Sequence, residues 1–324
     1  MRSLMGKGRR QLAWVLAVAL TLGAGGAQAC AFHGYTPNPT LVDVLLATEQ
    51  VALGQPVPGR AGHYRVRQTL AGPPLTEVEV PPGWRLNTPQ DGLVLLARDG
   101  AYGHWLPLAV MEERFAQVIM QVMAQQSNWI YGDDGPRLRF FARLVNDPNQ
   151  QLRDLALQEL DRVPYATLRA APLPKVQRLP QDLASGDEAL LPIRVLLAGL
   201  SKDRAYAAYL RAELDKAVGQ DLPYLGAFAV ALTELEGKAG VQRIFEEYLQ
   251  PETLPESTQA RLVQALALQY RNGPRDTRRM IGREMAAHAR RSPQLARLAK
   301  EHFALGSRWR PPVATSTDEF VLER

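Results

Sequence analysis

Two hydrophobic periodicities divide the chain at about residue 110. Before that point, the runs at residues 63–67 and 76–80 alternate polar and apolar positions, as half-buried strands do, and the run at residues 93–97 is continuously apolar, as a more buried strand is. Gly and Pro residues separate the runs. One stretch at residues 40–48 instead has helical character, with Thr40 as its N-cap. The pattern predicts strands over residues 50–57, 63–70, 75–80 and 92–98.

Beyond residue 110 the apolar positions recur with helical spacing. Residues 111–126 predict one amphipathic helix, and residues 136–305 read as a series of helices separated by short polar turns. Three successive helix pairs begin at Asp187, Leu222 and Ser257, so the interval between their starts is constant. A constant interval of this size is typical of a solenoid, although an irregular helical bundle stays open as the alternative.

Residues 1–29 have the order of an export signal. A basic stretch without acids precedes an apolar segment at positions 12–22, which is too short to span a bilayer. Ala27-Gln28-Ala29 then forms a small-x-small cleavage site. We therefore divide the chain into a signal peptide (1–29), a β-rich module (30–110), a helical-repeat domain (111–305) and a flexible tail (306–324). The predicted fold class is α+β and mostly α.

Removal of the signal peptide changes the charge of the protein. The full chain has 38 basic and 33 acidic residues, a net charge of +5. Four of the bases lie in the signal peptide, which leaves 34 basic and 33 acidic residues, a net charge of +1. This near-neutral balance argues against a nucleic-acid-binding protein.

The helices after residue 136 resemble HEAT repeats. The carrying residues are the Asp147-Pro148 turn and, in the following helix, Arg153 and Ala156. The resemblance implies an extended surface for protein partners. In physical terms, Asp147 is expected to cap the second helix and Pro148 to start it.

The β-rich module resembles the OB-like barrel of netrin-type domains. The features that carry the resemblance are a cysteine near the mature N-terminus, a short helix, and the segments at residues 64–73 and 92–100. It implies a small β-barrel-like module. This class of domains includes metalloproteinase inhibitors. The family's disulfides are absent here because Cys30 is the sole cysteine, so the inhibitory function is not carried over.

Catalytic motifs are missing from the sequence. We find no nucleophile elbow, zinc-protease motif, phosphate loop or dinucleotide fingerprint. We therefore expect no enzymatic activity and no bound cofactor, and favour a binding scaffold.

The predicted mature N-terminus offers a second function. Cleavage after Ala29 brings an α-amine, the Cys30 thiol and the His33 imidazole close together in the chain, a set of ligands suited to copper or zinc. Two alternatives remain open: Cys30 is the site of a lipid anchor, although Ala27 and Gln28 make a poor lipobox, or Cys30 and His33 have no special role.

Basic residues concentrate near the C-terminus. Residues 271–310 contain eleven bases and three acids, a net charge of +8. Such a block indicates an anion-binding interaction surface, with a solvated helical face as the alternative. The residues predicted to bind the partner are Arg278, Arg279, Arg283, Arg290 and Arg291.

Together these patterns predict an exported, periplasmic or secreted scaffold. Its partner is expected to be an envelope protein or an anionic membrane surface, and handling of copper or zinc is the alternative function.

Overall fold

The computed structural model describes residues 39–84, 86, 89, 91–100, 103–130, 134–185, 188–250 and 254–303. The fold is α+β and 62% helical, as the sequence predicts. Contacts divide the chain into two compact units. We call Asn38–Val163 with Pro172–Arg178 the sheet unit, and Pro164–Ala171 with the described residues from 179 onward the helical unit.

The sheet unit combines five strands with five helices among its described residues. In chain order these are α1 (Leu41–Ala47), β1 (Gln50–Pro56), β2 (His63–Ala71), β3 (Glu77–Glu79), a 3₁₀ turn (Pro82–Trp84), β4 (Leu93–Arg98), β5 (Leu106–Met111), α2 (Glu113–Ala124), α3 (Gln126–Ile130), α4 (Asp134–Ala142) and α5 (Gln150–Asp161).

The five strands form an open antiparallel sheet in the order β3-β2-β1-β4-β5. The predicted barrel-like closure is therefore wrong, because β3 and β5 are the two edges and do not pair with each other. The edge strand β3 covers only Glu77–Glu79, too little to form a closing ladder of any length.

Strands β1 and β4, which pair with each other inside the sheet, are buried on both faces. Ala52 and Leu96 belong to a cluster on one face, whereas their alternating neighbours Val51 and Leu95 are equally buried. The sequence did not reveal β5, because Leu106–Met111 lacks alternation and contains Pro107. A proline is tolerated there since an edge strand leaves N–H groups unpaired.

Side chains cap the short helices of this unit. The predicted N-cap is confirmed, since the Thr40 hydroxyl accepts a hydrogen bond from the Asp43 N–H and the Asp43 carboxylate accepts one from the Thr40 N–H. The expectation for Asp147 is wrong. Asn149 caps α5 through the Leu152 N–H, at 3.0 Å, whereas Asp147 forms a 2.9 Å ion pair with Arg114.

The helical unit consists of nine α-helices within its described residues. They are α6 (Tyr165–Ala170), α7 (Leu179–Ser185), α8 (Leu191–Leu200), α9 (Ala207–Gly219), α10 (Leu225–Glu236), α11 (Lys238–Arg243), which continues as a π-helix (Ile244–Leu249), α12 (Glu256–Asn272), α13 (Arg275–Ala289) and α14 (Pro293–Phe303).

Alternate helices of this unit pack against each other. Helix α8 contacts α10, α10 contacts α12 and α12 contacts α14, while α11 contacts α13. Two layers of this kind are what helical-repeat arrays share. The spacing is less regular than predicted, because α8, α10 and α12 begin at Leu191, Leu225 and Glu256, and the second interval is shorter than the first.

Three residues near the middle of long apolar runs in the sequence, Leu197, Ala231 and Leu266, are predicted to lie in the core of the helical unit, and the structure confirms this. Leu197, Ala231 and Leu266 are 4%, 0% and 0% exposed. Helices α8 and α10 approach closely at Gly199, where an added Cβ would lie 2.5 Å from the Ala231 carbonyl oxygen. A glycine is therefore required at this crossing.

The structure groups the predicted domains differently from the sequence. Residues 111–163, which the sequence assigns to the repeat domain, lie in the sheet unit with the strands. The pair α4–α5, whose sequence carries the resemblance to HEAT repeats, is thus part of that unit. Among the described residues, no helix is long and apolar enough to cross a membrane.

Candidate functional site

The arginines predicted to bind a partner lie on an exposed surface of α13 and the turn that follows it. Helix α13 buries Thr277, Ile281 and Met285. Its exposed side carries a row of arginines one helical turn apart. We define the basic surface as the exposed residues Arg275, Arg278, Arg279, Arg283, Arg290 and Arg291.

Most of these guanidinium groups lack a carboxylate partner within the described residues. Arg283 pairs with Glu284 at 2.8 Å. In the described part of the chain, no carboxylate lies within ion-pair distance of the others, namely Arg275, Arg278, Arg279, Arg290 and Arg291. The charge of the basic surface is therefore largely uncompensated.

The few acids near the basic surface already have cationic neighbours. Residues 271–303 hold nine basic and three acidic residues, a net charge of +6. Besides Glu284, these acids are Asp276, which lies 3.5 Å from Lys238 Nζ, and Glu301, whose charge helps to raise the pKa of Arg297. These acids therefore neutralise little of the positive charge on the basic surface.

Two of the bases counted in the sequence have structural roles instead. Arg271 is half-buried, donates to the His302 carbonyl oxygen at 2.8 Å, and has a pKa lowered by burial. Arg297 of α14 pairs with Glu256 of α12. Both contacts join α14 to α12. Arg271 is thereby withdrawn from the surface available to a partner, whereas Arg297 stays exposed with its charge paired.

A buried polar cluster in the helical unit was not predicted from the sequence. The Glu234 side chain of α10 is 1% exposed and accepts hydrogen bonds from Arg169 Nε at 2.7 Å and Lys202 Nζ at 2.6 Å. Tyr165 also donates to this carboxylate, and Gln269 donates to the Tyr165 oxygen at 2.8 Å. We call these five residues the Glu234 cluster.

The cluster stabilises the charged form of its carboxylate. Burial alone raises the pKa of Glu234, but the hydrogen bonds from Lys202 and Tyr165 outweigh it, and the pKa is lowered. Burial and the Glu234 charge raise the pKa of Tyr165, which stays protonated as a donor. Lys202 adopts a positive φ of 57°, a strained conformation at the turn where its amine meets Glu234.

A second buried ion-pair network lies in the sheet unit. Arg137 makes a bidentate contact with Glu159, at 2.7 and 2.8 Å, and donates to Asp43 at 2.8 Å. The Arg137 and Glu159 side chains are 6% and 2% exposed. This network joins α1, α4 and α5, and its geometry indicates a structural role rather than a ligand site.

The predicted metal site at Cys30 and His33 lies outside the described residues and stays a prediction. Within the residues that the structure describes, no group of three or more His, Cys, Asp or Glu side chains is arranged to hold a metal ion.

Comparisons with known proteins add no family assignment. No protein-family model, no curated protein and no solved structure matches the chain.

Proposed function

We propose that this protein is a binding scaffold whose basic surface docks an acidic segment of a protein partner. The observation that carries the proposal is the set of exposed arginines that have no carboxylate partner among the described residues. An uncompensated cationic surface is costly to maintain, and a partner that supplies carboxylates neutralises it.

Arginine is suited to this task. The guanidinium group is planar, is always charged and presents donors in a fork that matches a carboxylate. Arg275, Arg279 and Arg283 lie on one side of α13, one helical turn apart. A partner segment with carboxylates spaced along it can therefore engage several of them together.

The two-layer packing of α8 to α14 provides the frame. We propose that these helices form a HEAT-like repeat array, in which each helix pair supports its neighbours and side chains on one layer form an extended binding surface. The N-terminal signal pattern favours the periplasm or the outside of the cell, so the partner is proposed to be an envelope protein.

Charge reversal tests the proposal directly. The test variant carries Arg278→Glu, Arg279→Glu, Arg290→Glu and Arg291→Glu. A matched control reverses four exposed bases elsewhere, namely Arg65, Arg178, Arg204 and Lys216. Binding of a poly-glutamate peptide is measured by fluorescence anisotropy, first at about 0.01 M and then at about 0.15 M salt, since salt shortens the range of charge interactions.

The wild-type protein and the control variant should bind the peptide at low salt and weaken steeply as salt rises. The test variant should keep its helical circular dichroism and lose binding. Equal binding by the test variant would contradict the proposal. If the wild type binds vesicles of anionic lipid but not poly-glutamate, the basic surface faces a membrane and the proposed protein partner is wrong.

A further inference from the structure

A separate pocket in the sheet unit lies against the outer side of α4. Its volume is about 380 Å³, within the range of roughly 300 to 1,000 Å³ typical of small-molecule sites. The side chains that define it come from the end of α2, from α3 and from α4 with the turn that follows it. They are Gln121, Gln125, Trp129, Arg139, Phe140 and Arg143.

Helix α4 has one side that packs into the protein and one exposed side that carries positive charge. Arg137, Leu138 and Phe141 are buried, and Arg137 is held by Glu159 in the inner ion-pair network. Arg139 and Arg143, one helical turn apart, are exposed at the pocket. The inner contacts therefore fix α4 in an orientation that presents two guanidinium groups to the pocket.

Arg139 and Arg143 are not part of an ion-pair network among the described residues, so they can bind a ligand. Throughout the described residues, no carboxylate lies within ion-pair distance of Arg139 or Arg143. The pocket lining contains no acid, and its other polar groups are the amides of Gln121 and Gln125. Both positive charges are therefore available to an anion.

The remaining wall of the pocket is aromatic. The rings of Trp129 and Phe140 meet edge to face, with centroids 5.5 Å apart and planes at 64°. Trp129 also contacts Phe141 of the core, at 6.0 Å between centroids. This wall is thus tied to the core and offers a flat ligand an apolar contact.

We propose that this pocket binds a small planar organic anion, in which a carboxylate or phosphate group meets Arg139 and Arg143 and an aromatic ring lies against Phe140. A carboxylate and a phosphate group can both contact the two guanidinium groups in this way. A phosphate monoester is expected to bind more tightly because it carries a second negative charge. The site is independent of the basic surface.

Isothermal titration calorimetry on the full chain tests the site with four probes: phenyl phosphate, benzoate, benzamide and inorganic phosphate. Phenyl phosphate and benzoate should bind saturably. Benzamide, which keeps the ring and loses the charge, and inorganic phosphate, which keeps the charge and loses the ring, should each bind at least about tenfold more weakly than their counterparts. Tighter binding of phenyl phosphate than benzoate assigns the site to phosphate esters, and the reverse order assigns it to carboxylates.

A double variant, Arg139→Gln with Arg143→Gln, should weaken the binding of both aromatic anions by roughly tenfold or more. Arg139→Lys with Arg143→Lys keeps the charge without the fork and should retain intermediate affinity. The matched control, Arg65→Gln with Arg204→Gln, removes two exposed arginines elsewhere and should bind as the wild type does.

The proposal is overturned if the aromatic anions do not bind saturably, if benzamide equals benzoate, or if the Arg139 and Arg143 glutamine variant binds with unchanged affinity. Inorganic phosphate binding as tightly as phenyl phosphate would equally overturn the planar-ligand assignment. Because both arginines are exposed, circular dichroism of the variants should match the wild type.

Discussion

At the residue scale, buried carboxylates distinguish this protein from a simple array of amphipathic helices. Glu234 lies among apolar residues of α10 and receives donors from Arg169, Lys202 and Tyr165. Removal of a charged group from water is costly unless it is paired and hydrogen-bonded. The Glu234 cluster satisfies that condition and joins α6, α10 and α12 with the turn after α8.

Acid should weaken the helical unit through Glu234. The folded-state pKa of this carboxyl is lowered, so its stabilising contribution is complete above the ordinary glutamate pKa of about 4.3 and is lost as pH falls through the folded-state value. Glu234→Gln removes this contribution at all pH values. At pH 7 it should lower the free energy of unfolding by about 3 kcal/mol, because it leaves Arg169 and Lys202 beside a neutral group.

The measurement is urea unfolding followed by circular dichroism at pH 7, 5 and 3. The difference between wild type and Glu234→Gln should shrink towards low pH. Glu246→Gln is the control, since Glu246 is exposed and its loss should change stability by less than about 1 kcal/mol. An equal loss of stability in both variants at pH 7 would show that the cluster has no special role.

At the element scale, close approach of backbones determines how the helices of the array pack. Gly199 of α8 faces the backbone of Ala231 in α10, and Gly240 of α11 faces the carbonyl oxygen of Leu232, 2.8 Å from an added Cβ. A side chain at either position would push the helices apart. Small residues at these crossings are therefore required by packing rather than by helix propensity.

Gly199→Ala should destabilise the helical unit although alanine favours helix formation. The added methyl would lie 2.5 Å from the Ala231 carbonyl oxygen, and the cost of such overpacking is about 1 to 3 kcal/mol. Gly219→Ala, at the end of α9, is the matched control because nothing lies within 4 Å of its added Cβ. Thermal unfolding of both variants checks this, and a Gly199→Ala melting temperature at or above the control's would refute the close approach.

At the scale of the whole molecule, the two units define which fragments should fold. The sequence predicts that a fragment beginning near Ser127 folds alone. The structure instead pairs Arg137 and Glu159, which such a fragment would contain, with Asp43 and Thr40, which it would lose. Residues 164–324 contain the helical unit without this break.

A fragment of residues 164–324 should therefore give strongly helical circular dichroism and a single cooperative unfolding transition. A fragment of residues 127–324 should show an additional, less stable segment, because α4 and α5 lack the partners that α1 provides. Hydrogen exchange at residues 134–161 measures the difference. Equal protection in that fragment and in the full chain would favour the sequence-based boundary at residue 110.

The sequence by itself determined the fold class, most helices and the main strands, because hydrophobic periodicity and local capping are properties of neighbouring residues. Thr40 shows this for a cap, and Leu197, Ala231 and Leu266 show it for the array core. It also located the arginines of the basic surface, since exposed charge on an amphipathic helix can be read from position alone.

The tertiary structure alone decided what depends on residues distant in the chain. The open sheet follows from which strands become edges, and β5 carries no local alternation to predict it. The Glu234 cluster joins residues up to 104 positions apart, between Tyr165 and Gln269. The sequence does not reveal the pocket at Arg139 and Arg143. The availability of these two guanidinium groups to a ligand depends on the packing of α4 and on the absence of a nearby carboxylate among the described residues. Neither property can be predicted from a local sequence pattern.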